Sequence, residues 1–321
     1  MIKNFKINPK SQADTNTGFG LNSSDYGGRF INKDGRPNIE KKGIGYFEKI
    51  SWYHVFLDMS RLKFISTIVF FYIAINLLFA LIYFLLGAEE FGVSSNSSNF
   101  KIFTEAFFFS SQAFTVGGYG RVDAGNLLIN AFCAFESFLG LLSLAVVTGL
   151  LYGRFSRPKA YIKFSKNALV SPFRNGKALM LRFAPYKNTL LTDAQAKLSL
   201  GLVIEENGKK VNRFYDLELE YDLINSLTLS WTIVHPINES SPFYNFTQQD
   251  FKNTKGEVIV YVKAFDDMFS NTVISKTSYT FNEIIIGAKF LPMYYKSPHK
   301  NKTILRLDKL NLFEEISLES F

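Results

Sequence analysis

Residues 110–121 read SSQAFTVGGYGR and lie between two long apolar stretches, residues 64–86 and 127–152. At about 1.5 Å per residue, each stretch is long enough to cross a bilayer core of about 30 Å. The aromatic segment 103–115 is too short to span a membrane as a helix. Irregular backbone is tolerated at membrane depth only where it lines a water-filled path or is buried in protein. The pattern therefore predicts two transmembrane helices joined by a re-entrant loop.

The composition agrees with a membrane protein. The chain has 321 residues, a length that suggests about two domains. It contains 34 Phe, which is more than a soluble protein of this size usually carries. The formal net charge of +8 suits contact with an anionic membrane surface or with nucleic acid, and the two spans favour the membrane. We therefore expect anionic lipids as partners and no nucleic acid.

Basic residues flank both spans on the same side. Arg61 and Lys63 precede or open the first span, and Arg154, Arg157 and Lys159 follow the second. By the positive-inside rule, a multi-pass membrane protein with both termini in the cytoplasm is expected. All five side chains are candidates for binding anionic lipid headgroups.

The residue composition changes along the chain and divides it into four parts. Residues 1–44 are polar and predict an extended or flexible cytoplasmic arm. Residues 45–63 predict a helix lying along the membrane interface, with an ordinary soluble helix as the alternative. Residues 64–157 hold the spans and the loop between them. From 158 to 321, short alternating runs separated by turn signals predict an all-β sandwich.

Four further motifs accompany this organisation: GRFINKDG at 28–35, TGLLYGRFSRPKA at 148–160, NALVSPF at 167–173 and HPINESSP at 235–242. Together with the two spans and the GYG loop, they resemble the inward-rectifier potassium channels, specifically the bacterial branch. The resemblance covers nearly the whole chain. It implies a homotetramer in the cell (inner) membrane, with a pore domain and a cytoplasmic immunoglobulin-like sandwich.

The resemblance also implies passive conduction of K⁺, with no other cofactor and no enzymatic activity. The residues agree, because the histidines His54, His235 and His299 are scattered and no catalytic or metal-ligand spacing is found. One re-entrant loop offers too few carbonyl groups to replace the water shell of an ion, so four chains around one axis are expected from the chemistry as well.

The selectivity filter departs from the family pattern Thr-Val-Gly-Tyr-Gly. An ungapped count from Ser110 places Val116, Gly117, Gly118, Tyr119 and Gly120 at these five positions. Val116 stands where the family has threonine, so a hydroxyl that would contribute to the innermost ion site is missing. Gly117 stands where the family has valine, and the loss of that β-branched side chain makes the backbone more flexible. A weakly selective or nonselective cation channel of the same fold is therefore an alternative, and a non-conducting membrane-anchored sensor is another.

A different alignment keeps Thr115-Val116-Gly117 and treats Gly118 as inserted. We prefer the ungapped count because the pore helix then keeps its length. Around the filter, the resemblance gives supporting positions to Gln112, Thr115, Arg121 and Glu136. Arg121 would either repel cations at the mouth or turn back to bond carbonyls or Asp123. Glu136 would attract cations or brace the filter, or else be a hydrogen-bonded structural carboxylate.

Two positions of the second span are candidates for gating. Gly140 matches the hinge glycine of the family, with a close helix contact as an equal alternative. Tyr152 falls where the inner helices would cross, so four rings could close the pore, although a lipid-facing anchor is the alternative. In the sandwich, one segment resembles the loop that narrows the cytoplasmic pore, with an ordinary surface turn as the alternative: Phe265, Asp266, Asp267, Met268 and Phe269. Signals from the sandwich and from lipids are expected to reach the gate at the helix crossing.

Overall fold

The computed structural model describes residues 7–15, 17–18, 29–45, 48, 50–87, 98–118, 127–206, 209–298 and 301–317, with the backbone alone for 205–206 and 209–210. The chain forms two compact units. The first combines residues 1–41 with residues 158–321, and the second consists of residues 42–157. We call them the β unit and the helical unit.

The helical unit contains α1 (Trp52–Asp58), α2 (Arg61–Leu86), α3 (Asn99–Phe114) and α4 (Leu127–Phe155). Helices α2 and α4 are long and apolar enough to cross a membrane, as predicted from the two apolar runs. The start of α2 is capped by Ser60, whose side chain accepts a hydrogen bond from the backbone N–H of Lys63. Helix α3 falls where the short aromatic helix was predicted.

Aromatic and small side chains hold α3 against the two long helices. Phe79, Ala80 and Tyr83 of α2 share a buried cluster with Ala106 of α3 and Ile129 of α4. Ala80 and Ala106 are fully buried, because small residues let neighbouring helices approach closely. The short helix is thereby fixed between α2 and α4.

The β unit is built from fourteen described strands and the short helix α5 (Gln248–Asn253). The strands are β1 (Ile162–Phe164), β2 (Ala168–Phe173), β3 (Gly176–Pro185), β4 (Leu191–Glu206), β5 (Lys209–Asp216), β6 (Leu223–Ser226), β7 (Trp231–Pro236), β8 (Gly256–Asp266), β9 (Asn271–Thr280), β10 (Ile284–Ile286), β11 (Ala288–Phe290), β12 (Tyr294–Lys296), β13 (Thr303–Leu305) and β14 (Phe313–Glu315).

The strands form two five-stranded sheets and two small two-stranded ones. One large sheet has the order β1-β3-β2-β10 with β7 also on β3, and the other has the order β5-β4-β8-β9 with β6 also on β4. Alternate residues of both sheets enter one hydrophobic core, as the period of two in a strand requires. The core includes Leu179, Leu181 and Phe183 of β3, Leu198, Leu200 and Leu202 of β4, and Val258, Val260 and Val262 of β8. The all-β prediction is confirmed, and the immunoglobulin-like topology stays a prediction.

A buried arginine fastens the last strands to the first large sheet. Arg182 of β3 is 4% exposed, and its guanidinium donates to the carbonyl oxygens of Leu291 at 2.6 Å, Lys309 at 2.8 Å and Leu310 at 2.8 Å. It also lies 4.5 Å from the ring centroid of Phe290. Burial lowers the pKa of Arg182 to about 10. A buried cation is stable only where such acceptors surround it, so these contacts fix the C-terminal segment in place.

Part of the N-terminal arm is docked on the β unit. We call residues 29–38 the strap. The buried carboxylate of Glu257 accepts hydrogen bonds from the backbone N–H groups of Phe30 at 2.5 Å and Ile31 at 3.1 Å. Arg29 forms an ion pair with Glu283 at 2.5 Å. Each hydrogen bond to a charged group contributes about 1.5–3 kcal/mol, so the strap is held firmly on the β unit. The strap itself is a tight hairpin, in which Ile31 pairs with Pro37 in an antiparallel bridge.

The buried His235 of β7 should make the free energy of unfolding of the β unit depend on pH. It is 2% exposed, with Nδ1 at 2.6 Å from the carbonyl oxygen of Glu218 and Nε2 at 2.8 Å from Oγ of Ser241. Burial lowers the pKa of His235 to about 4. In the unfolded chain a histidine protonates near pH 6.5, so between pH 6.5 and 4 only the unfolded state takes up this proton. We expect the free energy of unfolding to fall by about 3 kcal/mol over that interval.

The measurement is guanidinium unfolding at pH 7 and at pH 4.5, followed by the fluorescence of the buried Trp231. A His235→Gln variant should lose most of the pH dependence. The exposed His54 provides the control, since His54→Gln should leave the dependence unchanged. If the free energy of unfolding of the His235→Gln variant falls with pH as much as that of the wild type, other groups cause the dependence.

Candidate functional site

Helix α3 ends in a tight turn that redirects the chain at Val116. The N–H of Val116 donates to the carbonyl of Ala113 at 3.1 Å, and the N–H of Gly117 donates to the carbonyl of Gln112 at 2.9 Å. These two bonds define a Schellman motif, in which the residue after the C-cap adopts the left-handed conformation. Val116 occupies that position with φ of 55°. A β-branched residue is strained there by about 1–2 kcal/mol, so the turn is maintained against a local cost.

The turn and the residues that follow it are exposed on the surface of a single chain. Residues 115–118 are all exposed, and Gly118 has φ of 41°. The first three predicted filter positions, Val116, Gly117 and Gly118, therefore leave the helix end as irregular backbone. The remaining predictions for Tyr119, Gly120 and Arg121 lie outside the described residues.

A buried carboxylate lies behind α3. Glu136 of α4 is fully buried and accepts hydrogen bonds from Oη of Tyr83 at 2.6 Å and Oγ of Ser110 at 2.5 Å. Ser110 Oγ also lies 3.1 Å from Oδ1 of Asn76, another fully buried residue. Since an unpaired charge is costly in an apolar setting, these donors account for the presence of Glu136. The network ties α2, α3 and α4 together one turn before the end of α3.

Helix α4 makes two more contacts with the last turn of α3. Ser137 donates from its hydroxyl to the carbonyl oxygen of Ala113 at 2.9 Å. At Gly140, an added Cβ would overlap the carbonyl oxygen of Phe114. Gly140 thus lies in close contact with the end of α3, and its function, as a packing residue or as a hinge, stays a prediction.

The C-terminal end of α4 contacts α1. Tyr152 is 75% exposed within one chain. Arg154, by contrast, donates to backbone carbonyl oxygens at the end of α1, and Arg157 forms an ion pair with Asp58 at 2.7 Å. Two residues predicted to bind lipid are therefore engaged with protein groups, while Arg61, Lys63 and Lys159 are exposed.

The segment 265–269 connects β8 and β9 of the β unit. Asp266 is fully buried, and its Oδ1 accepts from the backbone N–H groups of Met268 at 3.0 Å and Phe269 at 3.4 Å. Met268 is 71% exposed at the tip. Asp266 therefore shapes the turn, and the apolar tip side chains are the ones presented outward. Within the described ranges, no group of three or more His, Cys, Asp or Glu residues is placed to hold a metal ion.

Comparison with known proteins assigns the family. A family model described as the inward rectifier potassium channel C-terminal domain matches residues 162–319. The inward rectifier potassium channel Kirbac3.1 of Paramagnetospirillum magnetotacticum is 33% identical over 294 residues, which cover 90% of this chain and 96% of that protein. The chain belongs to the inward rectifier potassium channel family. Human inward rectifier potassium channel 18 is 26% identical over 302 residues, covering 85% of this chain and 68% of that protein.

One solved structure, the sporulation control protein Spo0M from Bacillus subtilis, gives a TM-score of 0.21 at 8% identity, covering 44% of this chain and 60% of that chain. A likeness this low carries no argument. Membership of the inward rectifier potassium channel family implies a transmembrane pore domain followed by a cytoplasmic β-sandwich, in a membrane protein that is an ion channel and not an enzyme.

For an inward rectifier potassium channel, the polar groups behind the pore helix are of interest, and sequence reasoning missed most of them. Tyr83, Ser110 and Ser137 were not singled out, although they bond Glu136 or the end of α3. The usable signal was a carboxylate, Glu136, inside an apolar helix, together with hydroxyl side chains in that helix and in the neighbouring apolar helices. Such groups require partners at membrane depth.

The close approach at Gly140 gives a prediction. In Gly140→Ala, the new methyl group must push α4 away from the carbonyl of Phe114, which costs about 1–3 kcal/mol. Gly149→Ala in the same helix is the control, because among the described residues nothing lies within 4 Å of an added Cβ there. We expect a lower melting temperature for the Gly140 variant in detergent and an unchanged or higher one for the Gly149 variant. Equal melting temperatures would contradict the close contact.

Proposed function

We propose that this protein forms a passive potassium channel by assembling four copies around a central pore. The observation that carries the proposal is the turn at Val116, which ends a short helix inside the helical unit and starts irregular glycine-rich backbone. Backbone carbonyl groups of such a loop, contributed by four chains, can replace the water shell of a cation. The match with relatives named as inward rectifier potassium channels supports the same function.

In this proposal, the carbonyl groups of Val116, Gly117, Gly118 and Tyr119 line the filter, and K⁺ is the permeant ion. Glu136 braces the filter through Ser110 of α3. A ring of four Tyr152 side chains closes the pore at the helix crossing, and both termini lie in the cytoplasm. The cytoplasmic sandwich, with segment 265–269 as a second constriction, and anionic lipids control that gate.

A second candidate is a weakly selective cation channel of the same architecture. Val116 has no hydroxyl to add an oxygen ligand at the innermost site, and Gly117 has no side chain to stiffen the filter. These two residues favour a loss of discrimination between K⁺ and Na⁺ without any change of fold.

The deciding experiment is uptake of radioactive rubidium into liposomes that contain the purified protein. Competition by K⁺ alone would support the selective channel. Equal competition by Na⁺ would support the weakly selective one. No uptake in any lipid composition would contradict both and leave a membrane-anchored sensor that does not conduct.

A further inference from the structure

Residues 7–15, which we call the N-terminal segment, add a strand to the edge of the second large sheet. Ala13 lies opposite Tyr215 of β5, the edge strand, in an antiparallel bridge. An edge strand carries a row of backbone groups that an extended peptide can satisfy. Two hydrogen bonds beside the bridge use this row: the N–H of Asp14 donates to the carbonyl of Phe214 at 2.9 Å, and the N–H of Asp216 donates to the carbonyl of Gln12 at 3.0 Å.

A buried carboxylate fixes the C-terminal end of the N-terminal segment. Oδ2 of Asp14 accepts a hydrogen bond from Oγ of Ser199 on β4 at 2.6 Å and lies 3.1 Å from Nζ of Lys197. Ser199 and Lys197 are two positions apart, so they share one face of the strand. A buried charge is stable only where donors of this kind surround it. This face of β4 therefore supplies the donors that one carboxylate of a docked peptide needs.

A buried amide fixes the other end of the N-terminal segment. Nδ2 of Asn8 donates to the carbonyl oxygens of Glu239 at 2.6 Å and Ser241 at 3.0 Å. Oδ1 of Asn8 accepts from the N–H of Lys10 at 3.1 Å, so both ends of the amide are used. Ile7 packs against the main hydrophobic core. The segment is therefore held by an apolar side chain, an amide and a carboxylate, whereas the ion pair of Lys10 with Glu239 is exposed.

The N-terminal segment and the strap hold opposite edges of the same sheet. The segment pairs with β5, and the strap lies on β9, where Oγ of Ser278 donates to the carbonyl of Ile31 at 2.5 Å. Four neighbouring strands measure about 14 Å across. Residues 16–28, which join the segment to the strap, are enough to span about 45 Å when extended. One chain can therefore occupy both edges of its own sheet, and the short connection gives the segment an effective concentration of about millimolar at β5.

We propose that the β unit contains a peptide-binding site, formed by the edge of β5, the Lys197 and Ser199 side chains of β4, and the backbone carbonyl groups of Glu239 and Ser241. Its ligand is an extended segment with an asparagine and an aspartate six positions apart. The N-terminal segment of the same chain is that ligand, and it binds reversibly, as an added strand. The site does not depend on ion conduction, so it stands or falls separately from the proposed channel function.

The first test asks which chain occupies the β5 edge. In a Cys133→Ser background, which removes the single native cysteine, Ala13→Cys and Tyr215→Cys place two thiols at opposed positions of an antiparallel pair. Such Cα atoms lie about 4.5–5.5 Å apart, within the range of a disulfide. On oxidation, mass spectrometry should find the disulfide within one chain. Ala13→Cys combined with Ile274→Cys on β9 is the control and should stay reduced. A disulfide between two chains, or none at all, would overturn the proposal.

The second test measures occupancy without new cysteines. Hydrogen exchange at the amide of Asp216 reports the docked state, because this amide donates to the carbonyl of Gln12. Asp14→Ala removes the carboxylate that Ser199 and Lys197 bind, so exchange at Asp216 should become at least about tenfold faster as the segment detaches more often. Equal exchange rates in Asp14→Ala and in the wild type would contradict the site.

Two further variants separate specific recognition from general loosening. Asp14→Asn keeps an acceptor for Ser199 and loses the charge beside Lys197, so an acceleration of about threefold is expected. Lys10→Ala is the matched control within the same segment. Its ion pair with Glu239 is exposed, and exchange should stay within about twofold of the wild type. Equal acceleration by Lys10→Ala and Asp14→Ala would show that the carboxylate is not specifically recognised.

The third test supplies the ligand from outside. In a full-length background that lacks only residues 2–15, a synthetic peptide of residues 7–15 should restore the slow exchange at Asp216 at about millimolar concentration, which matches the effective concentration of the tethered segment. The same peptide with Asp14→Ala should fail to restore it, and the peptide with Lys10→Ala should succeed. Failure of the native peptide, or equal success of all three, would overturn the claim that this surface recognises the segment itself.

Discussion

The double variant Val116→Thr, Gly117→Val should raise the preference for K⁺ over Na⁺ about tenfold, which corresponds to about 1.4 kcal/mol. Threonine adds one hydroxyl oxygen per chain at the inner end of the proposed filter. Valine restores a β-branched side chain that restricts the backbone. Gly117 lies outside the left-handed region, so valine fits its backbone without that strain. The measurement is rubidium uptake in liposomes with K⁺ or Na⁺ as competitor.

The control for this prediction is Val116→Gly. It relieves the left-handed strain at φ of 55° but brings no hydroxyl and no stiffness. We expect a more stable turn with unchanged or lower selectivity. If the double variant leaves the ion preference unchanged, the ungapped assignment of the filter is wrong and the alignment that begins at Thr115 becomes preferable.

The second large effect is expected at Glu136. Leucine at this position removes the carboxylate that accepts from the buried hydroxyl group of Tyr83, which costs about 1–3 kcal/mol, and leaves Ser110, among the described residues, with only Oδ1 of Asn76 as an acceptor. Glutamine at this position can preserve the hydrogen bonds, because its side-chain oxygen accepts from Tyr83 while its amide nitrogen donates to Ser110. We therefore expect Glu136→Leu to fail to form stable oligomers and Glu136→Gln to assemble normally. Size-exclusion chromatography in detergent at increasing temperature measures this difference.

Ion flux through Glu136→Gln then separates the roles that the sequence left open. A bracing carboxylate predicts nearly normal uptake, since the hydrogen bonds survive without the charge. A cation-attracting carboxylate predicts a clear loss of uptake that lessens at high salt, where charges are screened. A double-mutant cycle with Tyr83→Phe should give a coupling of about 0.5–3 kcal/mol if the two side chains act as a pair.

The sequence predicted the features that repeat along the chain. The two spans follow from long apolar runs, and the strands of the β unit follow from alternation such as that of residues 198–202. The short helix α3 follows from its aromatic content and its length. These signals are local, so a single sequence contains them.

Features that depend on distant pairs or on unusual backbone were not predictable. The carboxylate of Glu257 holds Phe30, which lies 227 positions away in sequence. The left-handed Val116 contradicts the usual preference for glycine at such a turn. Arg154 has the sequence context of a lipid ligand, and only the fold brings the end of α1 within its reach.

The buried Arg182 has a consequence for biosynthesis. Its carbonyl partners at residues 291, 309 and 310 are translated long after β3 itself has left the ribosome. Until then the nascent sandwich contains a cation in a site that lacks its acceptors, which opposes completion of the first sheet. Native closure of the β unit therefore requires the segment 291–310, and a chain interrupted before the final strands should be recognised by proteases as incompletely folded.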